Sequence, residues 1–411
     1  MLDSLKKYSS EPLYRNSIAM ILNSAFSAIF GLLFWIAAAR TMTSKDIGLA
    51  TAAISAATLI VGLSRLGLEE GLMRYLPDCK NKSGLYSTIA AVTLALALIL
   101  ATVFLAGLEI FSPALIFIRK GWFLPVFYVY IAISSVYATQ NIALIALRKA
   151  DLSFVQNLLL GTRIPIMLFI AFLGVIGVFS ALGIAYTITF LFGTYALYKY
   201  GLSINQNFDI TAIRKILKFS LGNYTAGIFA MAPTALIPLM IVNTVGAKEN
   251  AYFYVAYYVA LLFIMIPNAV STSLFVEGSH NLPIKENVLK SVKMILLLLL
   301  PSLAFIFLFG DKLLLLFSKE YSEQSFDILR LLSASSLFSA VISIYNSIKK
   351  IQNEVRMINY LNFALSALII GLGYVSLSKS GLVGLGYAWM WANAVICAVV
   401  VGMVVWREKW V

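Results

Sequence analysis

Apolar residues occupy almost the whole chain in long runs, and polar residues fall between the runs in short clusters. Each run is close to the ~20 apolar residues that a helix needs to cross the hydrocarbon core of a bilayer. The pattern therefore predicts twelve membrane-spanning helices joined by short loops. In chain order, spans 1 to 12 are predicted at 16–39, 47–64, 84–106, 122–147, 154–177, 179–198, 219–243, 251–276, 291–309, 325–347, 358–378 and 382–405.

The composition favours a membrane protein over a set of soluble domains. Of the 411 residues, 61% are hydrophobic and only 12% are charged, and the mean hydropathy is +0.90. A water-soluble fold cannot bury that much apolar surface, so we predict an all-α polytopic membrane protein. One His and two widely separated Cys form no metal-binding pattern, and neither a metal site nor another cofactor is expected.

The positive charges predict how the chain is oriented, because loops rich in Lys and Arg remain in the cytoplasm. Most of the 31 Lys and Arg lie in the terminal segments and in the loops after spans 2, 4, 6, 8 and 10. Both termini are therefore expected in the cytoplasm, with the protein in the cell membrane. The net charge of +13 follows from this topology, and without a Lys/Arg tract nucleic acid is not expected as a partner.

The two halves of the chain share one hydropathy profile. Sliding the sequence along itself by 203 residues places span 1 over span 7 and each later span over its counterpart, ending with span 6 over span 12. Because six is an even number, both halves enter the membrane in the same direction and are related by an axis along the membrane normal. We expect two six-helix bundles, 1–203 and 204–411, related by an internal parallel repeat. The joint at 199–218 is either an interfacial amphipathic helix or a plain linker.

Two stretches of sequence carry a resemblance to a known family. They are 31–77, with Gly31-Leu-Leu-Phe-Trp, Asp46-Ile-Gly and Gly71-Leu-Met-Arg-Tyr-Leu-Pro, and 219–278, with Asn243-Thr-Val-Gly and Ile266-Pro. Both resemble the polysaccharide (O-antigen type) flippases of the multidrug/oligosaccharidyl-lipid/polysaccharide exporter superfamily. The resemblance implies a two-bundle transporter that moves a polyprenyl-linked oligosaccharide from the cytoplasmic to the outer leaflet. Its partners would be that cargo, the membrane lipids and glycan-synthesis enzymes.

Two arginines lie deep within predicted spans, Arg163 in span 5 and Arg330 in span 10. A guanidinium at such depth costs ~2.5–3.5 kcal/mol on insertion scales unless it snorkels, is paired or faces a wet cavity. Asp327 lies on the same helical face as Arg330, so an internal ion pair is the alternative to cargo binding there. Arg163 has no acid at helical spacing. We expect it to face a central cavity and bind the cargo phosphate with its two-pronged guanidinium, unless it snorkels to the cytoplasmic headgroups.

Other polar side chains could also contact a lipid-linked sugar. Tyrosines can stack on sugar rings, although an interfacial aromatic belt explains many membrane tyrosines. Asparagines can equally join helices by hydrogen bonds, and arginines near span ends can snorkel. The further candidates for cargo binding are Asn23, Arg40, Arg65, Asn223, Asn243, Tyr254, Tyr257 and Tyr258.

Span 7 contains Pro233 and Pro238. Proline removes a helical hydrogen bond, and both residues are predicted to interrupt the helix. A bend there could close one side of a cavity during alternating access. A static kink required only for packing is the alternative.

Two rival functions share features with this sequence. A cation-coupled multidrug or metabolite antiporter belongs to the same superfamily, but such coupling ordinarily uses buried acids, and only Asp327 lies firmly within a span. A membrane polysaccharide polymerase or glycan ligase needs a pocket for an acid, a base and a nucleophile. The longest outer segments, 107–121 and 310–324, are short and contain no His. We therefore expect a transporter and not an enzyme.

Overall fold

The computed structural model describes residues 12–204, 210–278, 284–352 and 354–407, and their regular structure is entirely helical. A short turn of helix and a 3-10 segment, Leu108–Phe111 and Pro113–Arg119, follow α4. The longer helices are α1 Pro12–Thr41, α2 Ser44–Ser64, α3 Leu68–Tyr75, α4 Lys82–Ala106, α5 Phe123–Ala146, α6 Ala150–Leu159, α7 Arg163–Ile170, α8 Val175–Lys199, α9 Ile210–Thr244, α10 Ala247–Gly278, α11 Ile284–Leu314, α12 Lys319–Ile351 and α13 Val355–Arg407.

Apolar helices account for every predicted span. Across the described ranges, ten helical segments are long and apolar enough to cross a membrane. One of them is α13, which supplies two predicted spans because non-helical backbone at Ser380 and Gly381 breaks it. The remaining span is α1, whose described apolar part is Phe26–Thr41. The chain is thus a multi-pass, all-α membrane protein, as predicted.

Side-chain caps fix where several helices begin. The backbone N–H of Asp46 donates to the Thr43 hydroxyl at 3.2 Å, and that hydroxyl donates to the Asp46 carboxylate at 2.6 Å. The N–H of Gly84 donates to Asn81 Oδ1 at 2.9 Å. Such bonds satisfy backbone donors that the first turn of a helix leaves unpaired. These capping bonds fix the first turns of α2 and α4 directly after short polar loops.

The chain divides into two compact units, residues 1–224 and 225–411. The sequence predicted a division between 203 and 204, whereas this division falls inside α9. In the first unit, a core of aliphatic side chains joins α3, α4, α5 and α8. In the second, a comparable core joins α10, α11 and α12. Each unit therefore has an apolar interior of its own.

The joint between the halves is not a separate interfacial helix. The chain from Ile210 to Thr244 forms one continuous helix, α9, so the amphipathic residues at its start continue directly into span 7. Ile216 is 1% exposed and belongs to the core of the first unit. A Cβ placed on Gly71 would lie 2.0 Å from Ile216 Cγ2. The start of α9 therefore packs closely against α3, and residue 71 has no room for a side chain.

The same tight turn joins spans 5 and 6 and spans 11 and 12. Gly174 has φ 61° and ψ −134°, and Gly381 has φ 60° and ψ −148°, a region that other residues rarely adopt. Three residues later, a Cβ on Gly177 or Gly384 would lie 2.3 or 2.6 Å from a carbonyl oxygen of the preceding helix. This shared Gly-x-x-Gly turn supports the internal repeat. Gly174 and Gly381 are 207 residues apart, whereas the offset that aligns the predicted spans is 203 residues. One offset therefore does not align the two halves throughout.

Candidate functional site

A small polar cavity lies within the first unit, between α2, α5 and α8. Its volume is about 110 Å³, and its lining includes Tyr130, Tyr137, Tyr186 and Arg65. The Tyr186 ring packs edge to face against both other tyrosines, with centroids 5.5 Å from Tyr130 and 5.1 Å from Tyr137. Arg65, one of the predicted site residues, is thus a positively charged residue in a cavity lined by three tyrosines.

Arg65 lies at the carboxyl end of α2, where Leu66 and Gly67 turn the chain with positive φ. Its Nη1 is 3.1 Å from the Glu69 carboxylate, and its side chain is 35% exposed. Its Nε atom is buried and has no hydrogen-bond partner among the described residues. The guanidinium is therefore only partly neutralised and retains capacity to donate.

Arg163 lies near the middle of the fifth span, which runs from Ala150 to Leu173. The 3-10 turn Leu160–Thr162 breaks this span, and Arg163 is the first residue of α7. Its Cζ lies 5.2 Å from the ring centroid of Phe34 in α1. Its Nε is buried, and no described residue accepts a hydrogen bond from it. These bounds place Arg163 away from both ends of the span, where snorkelling would be easiest.

Arg65 shares its cavity with the phenol of Tyr137. The Tyr137 hydroxyl donates a hydrogen bond to Asn157 Oδ1. That bond uses the one O–H donor of the phenol, so the donors left for an anion are the N–H groups of Arg65 and Arg163. The first unit thus gathers donors suited to an oxyanion at membrane depth.

A buried amide network adjoins this group. Gln156 Nε2 donates to Gln140 Oε1 at 3.3 Å, Asn141 Nδ2 donates to Gln156 Oε1 at 3.1 Å, and Gln140 Nε2 donates to Thr194 Oγ1 at 2.9 Å. Gln140 and Gln156 are 1% and 0% exposed. Gln156 directly precedes Asn157, so the network fixes the part of α6 that holds the Tyr137 hydroxyl.

A larger cavity lies within the second unit, among α9, α10, α12 and both halves of α13. Its volume is about 240 Å³, and its lining includes no charged side chain. Hydroxyl, amide and aromatic groups provide the polar surface. These polar and aromatic lining residues are Phe229, Thr234, Tyr257, Asn268, Ser335, Ser339, Asn362, Ser366, Trp389 and Asn393.

Contacts within the second unit hold this lining in place. Asn393 Nδ2 donates to the Trp389 carbonyl oxygen at 2.9 Å, and Asn268 Oδ1 accepts from the Ser343 hydroxyl at 2.9 Å. The rings of Tyr257 and Trp389 lie 5.6 Å apart between centroids and are tilted by 52°. The cavity is therefore bordered by side chains with fixed positions.

The three predicted tyrosines of span 8 do not form one cluster. Tyr257 stacks on Phe253 and lines the cavity of the second unit. Tyr254 and Tyr258 stack on each other instead, with centroids 6.3 Å apart. Residues four apart on a helix lie above one another, so these two pairs form neighbouring ridges. Of the three, Tyr257 alone lines that cavity.

Arg330 is held by neighbours in its own unit. Its Nη1 lies 4.0 Å from Asp327 Oδ1, at the outer limit of an ion pair, and the Asp327 side chain is 72% exposed. Its Nη2 donates to the Phe307 carbonyl oxygen at 3.1 Å, and its Cζ lies 3.9 Å from the Phe326 ring centroid. These contacts favour a structural role for Arg330 over cargo binding.

Two other predicted polar residues, Arg40 and Asn243, lie apart from both cavities. Arg40 is exposed at the end of α1. Asn243 is exposed in the last turn of α9, where its Nδ2 donates to the Leu239 carbonyl oxygen at 2.7 Å. Asn23 and Asn223 lie outside the described side chains.

The prediction that two prolines interrupt span 7 is wrong. Both Pro233 and Pro238 are buried, and α9 runs through them as one helix. Proline removes one backbone donor, and neighbouring groups in a packed helix can compensate for that loss. Pro233 also lines the cavity of the second unit.

Sequence reasoning missed most of the larger cavity. Asn268, Asn362 and Asn393 are amides in three different predicted spans, and Ser335 and Ser339 lie one helical turn apart in a fourth. Amides within spans are a usable signal, since they need partners in a membrane. The sequence does not show that these helix faces converge.

The fold is similar to that of solved membrane transporters. The inward-facing structure of a multidrug resistance MATE family transporter of the MOP superfamily matches with a TM-score of 0.70 and 17% identity, over 93% of this chain and 96% of that one. An outward-facing structure with the same description matches with a TM-score of 0.62 and 17% identity, over 94% and 93%. The lipid II flippase MurJ, in an inward closed conformation, matches with a TM-score of 0.70 and 15% identity, over 95% and 87%.

These likenesses establish the fold that the chain shares with MOP-superfamily transporters and a lipid II flippase. No family model matches the sequence. No curated protein matches it either.

Proposed function

We propose that this chain is a flippase that moves a polyprenyl-(di)phosphate-linked oligosaccharide from the cytoplasmic to the outer leaflet by alternating access. The observation that carries the proposal is that the first unit holds two guanidinium groups, Arg65 and Arg163, each with a buried Nε that has no hydrogen-bond partner among the described residues. Such a cargo is an anion attached to a long apolar tail. Its phosphate needs hydrogen-bond donors where water is scarce, and these residues supply them.

Arg163 is the more telling of the two arginines. It lies near the middle of a span, and its buried Nε has no partner among the described residues. A guanidinium in that position is costly unless an anion or water compensates for it. A phosphate with two oxygens available to the guanidinium fork would do so.

The alternative function is cation-coupled export of drugs or metabolites, since one of the similar structures is named a multidrug resistance transporter. Coupling to cations ordinarily requires an acid whose charge is shielded from water. Among the described residues, Glu70 and Asp151 each have one buried carboxylate oxygen, but both lie outside the predicted spans, and no Asp or Glu side chain is buried as a whole. This favours an anionic cargo over a cationic drug.

An anionic cargo also has a driving force that requires no coupling ion. In a cell membrane that is negative inside, moving a negative charge outward releases ~2.3 kcal/mol per charge per 100 mV. The orientation with both termini in the cytoplasm supports loading at the inner leaflet, where enzymes of glycan synthesis would supply the cargo. Pro233 and Pro238 in α9 are the proposed hinge for alternating access.

Purified protein in phospholipid vesicles with a fluorescent polyprenyl diphosphate-linked oligosaccharide tests the proposal. We expect the sugar to become accessible to an added lectin on the opposite leaflet without any change in its length. Chain extension of the oligosaccharide would indicate a polymerase or ligase, and cation-driven uptake of a drug without sugar movement would indicate the antiporter.

Arg356→Ala is the matched control for arginine variants in this assay. Arg356 is exposed near the start of α13 and lines neither of the two cavities. Its loss of charge should leave the flipping rate unchanged.

A further inference from the structure

We propose that the uncharged cavity of the second unit binds one neutral sugar ring and thereby recognises the glycan part of the cargo. The inference rests on the proposed function for the identity of that cargo. It assigns the cavity itself from its lining, which lies entirely within the second unit.

The first argument is the free-energy cost of placing polar side chains within membrane spans. Polar side chains within spans are unfavourable in a membrane unless they are satisfied by protein, water or a ligand. Here helices from five predicted spans each turn a hydroxyl, an amide or an indole towards one space. Packing alone would be served by aliphatic side chains. The hydroxyls of Thr234, Ser335 and Ser339 already donate to carbonyls of their own helices, so they leave acceptor oxygens towards the cavity. A polar, uncharged ligand with O–H donors would use those acceptors.

The second argument is the aromatic pair. Tyr257 and Trp389 pack against each other with ring centroids 5.6 Å apart at a tilt of 52°, and both line the cavity. Trp389 is 7% exposed. A sugar ring has an apolar face of C–H groups and a rim of hydroxyls. Aromatic rings cover such a face, while their O–H and N–H groups remain available as hydrogen-bond donors.

The third argument is the hydrogen-bonding capacity of the amides. Asn393 uses Nδ2 to bond a carbonyl of its own helix, which leaves Oδ1 as an acceptor. Asn268 uses Oδ1 to accept from Ser343, which leaves Nδ2 as a donor. Acceptors and donors are thus both present around the same space. Sugar hydroxyls require both, because each can donate and accept.

The fourth argument is size. The cavity volume of about 240 Å³ is below the ~300–1,000 Å³ typical of sites for drug-sized ligands. One ring fits this space better than a polycyclic drug does. A bare cation would leave most of it empty, and the lining has no carboxylate to compensate its charge.

The test measures binding of soluble probes to the full chain by saturation-transfer NMR. The protein is held in phospholipid nanodiscs that contain no glycolipid. The probes are N-acetylglucosamine as a neutral sugar, glucuronate as an anionic sugar and tetraphenylphosphonium as a lipophilic cation. Wild type should bind the neutral sugar saturably, with millimolar affinity. Trp389→Ala should weaken that binding by about tenfold or more, because the aromatic face is lost.

Trp391→Ala is the matched control, since Trp391 lies on the same helix, is 61% exposed and does not line the cavity. It should bind the sugar as wild type does. If Trp389→Ala fails to fold, Trp389→Phe and Asn393→Leu replace it, and each should still weaken binding. Wild-type protein that binds no neutral sugar, or binds only the lipophilic cation, overturns the proposal.

The two proposals fail separately. Sugar binding in a protein that does not flip lipid-linked oligosaccharide would leave the cavity assignment standing and remove the proposed cargo. Flipping by a protein whose Trp389 and Asn393 variants are fully active and bind sugar normally would remove the cavity assignment and leave the flippase standing.

Discussion

Arg163 is the residue whose position demands the most explanation. It starts α7 in the middle of a span, beside the ring of Phe34, with a buried Nε that has no described partner. Membrane arginines that serve packing ordinarily have a carboxylate or carbonyl partner, as Arg330 does. The sequence suggested this distinction, since Asp327 lies one helical turn before Arg330 and Arg163 has no acid at helical spacing.

Replacing Arg163 should reduce transport in proportion to the donors lost. Hydrogen bonds to charged groups contribute ~1.5–3 kcal/mol, so Arg163→Ala should slow flipping by roughly 10- to 100-fold. Arg163→Lys should retain part of the activity, because it keeps the charge and loses the fork. The measurement is the initial flipping rate in vesicles at matched protein incorporation. Full activity of Arg163→Ala would contradict the phosphate role.

Gly193 tests the buried amide network. A Cβ at this position would lie 2.4 Å from Gln156 Nε2 and 2.5 Å from Gln140 Oε1. Gly193→Ala should therefore push the glutamines apart and destabilise the protein by ~1–3 kcal/mol, which thermal unfolding in detergent would show as a lower Tm.

Gly183→Ala is its control on the same helix. A Cβ there would meet only Tyr130, at 4.0 Å. Both changes gain the same helix propensity, ~1 kcal/mol, so the difference between the variants reports on the crowding alone. Equal Tm values for the two would show that the network adjusts without cost.

At the scale of elements, α9 combines an uninterrupted helix with two internal prolines. Neither proline breaks the helix, yet each removes an N–H donor and leaves a turn that bends more easily. A continuous helix with two weakened turns can bend without first having to unfold. This is consistent with a hinge role and leaves the sequence prediction of that role open.

Pro233→Ala should restore the missing backbone bond and stiffen α9. We expect flipping to slow several-fold, while expression and thermal stability stay the same or rise. Because Pro233 also lines the second cavity, sugar binding should be measured in the same variant. Slower flipping with normal sugar binding would assign the effect to the hinge, and slower flipping with weaker binding would assign it to the cavity.

Pro301→Ala is the comparison for this change, since Pro301 is an exposed proline inside α11. Pro301→Ala should leave the flipping rate unchanged, while its thermal stability stays the same or rises because a backbone donor is restored. Normal flipping by Pro233→Ala would show that the proline serves packing alone.

At the scale of the whole molecule, the hydropathy pattern predicted every helical span, because the membrane imposes a length and an apolar surface that a sequence displays directly. Partnerships between side chains were harder to predict. Tyr254, Tyr257 and Tyr258 have the spacing of a shared face, but their neighbours divide them. Asn268, Asn362 and Asn393 are separated along the chain and meet through packing that no local pattern encodes.

The predicted orientation can be tested by cysteine labelling. Lys80 and Lys120 are exposed, and the positive charges predict that the loop of Lys80 is cytoplasmic and that of Lys120 is external. In a Cys79→Ser background, a membrane-impermeant maleimide added to intact cells should label Lys120→Cys and spare Lys80→Cys. Permeabilised cells should label both. The reverse pattern in intact cells would invert the topology and the direction of transport with it.

The uncharged lining of the second cavity bears on how such a protein could diversify. Exchanges among Ser, Thr, Asn and Gln at these positions would change which hydroxyls are recognised and leave the charge of every span unaltered. Insertion during synthesis is sensitive chiefly to Asp, Lys and Arg, at ~2.5–3.5 kcal/mol each near a helix centre. A descendant chain could therefore change its sugar specificity, while the chain itself is still inserted into the membrane in the same way.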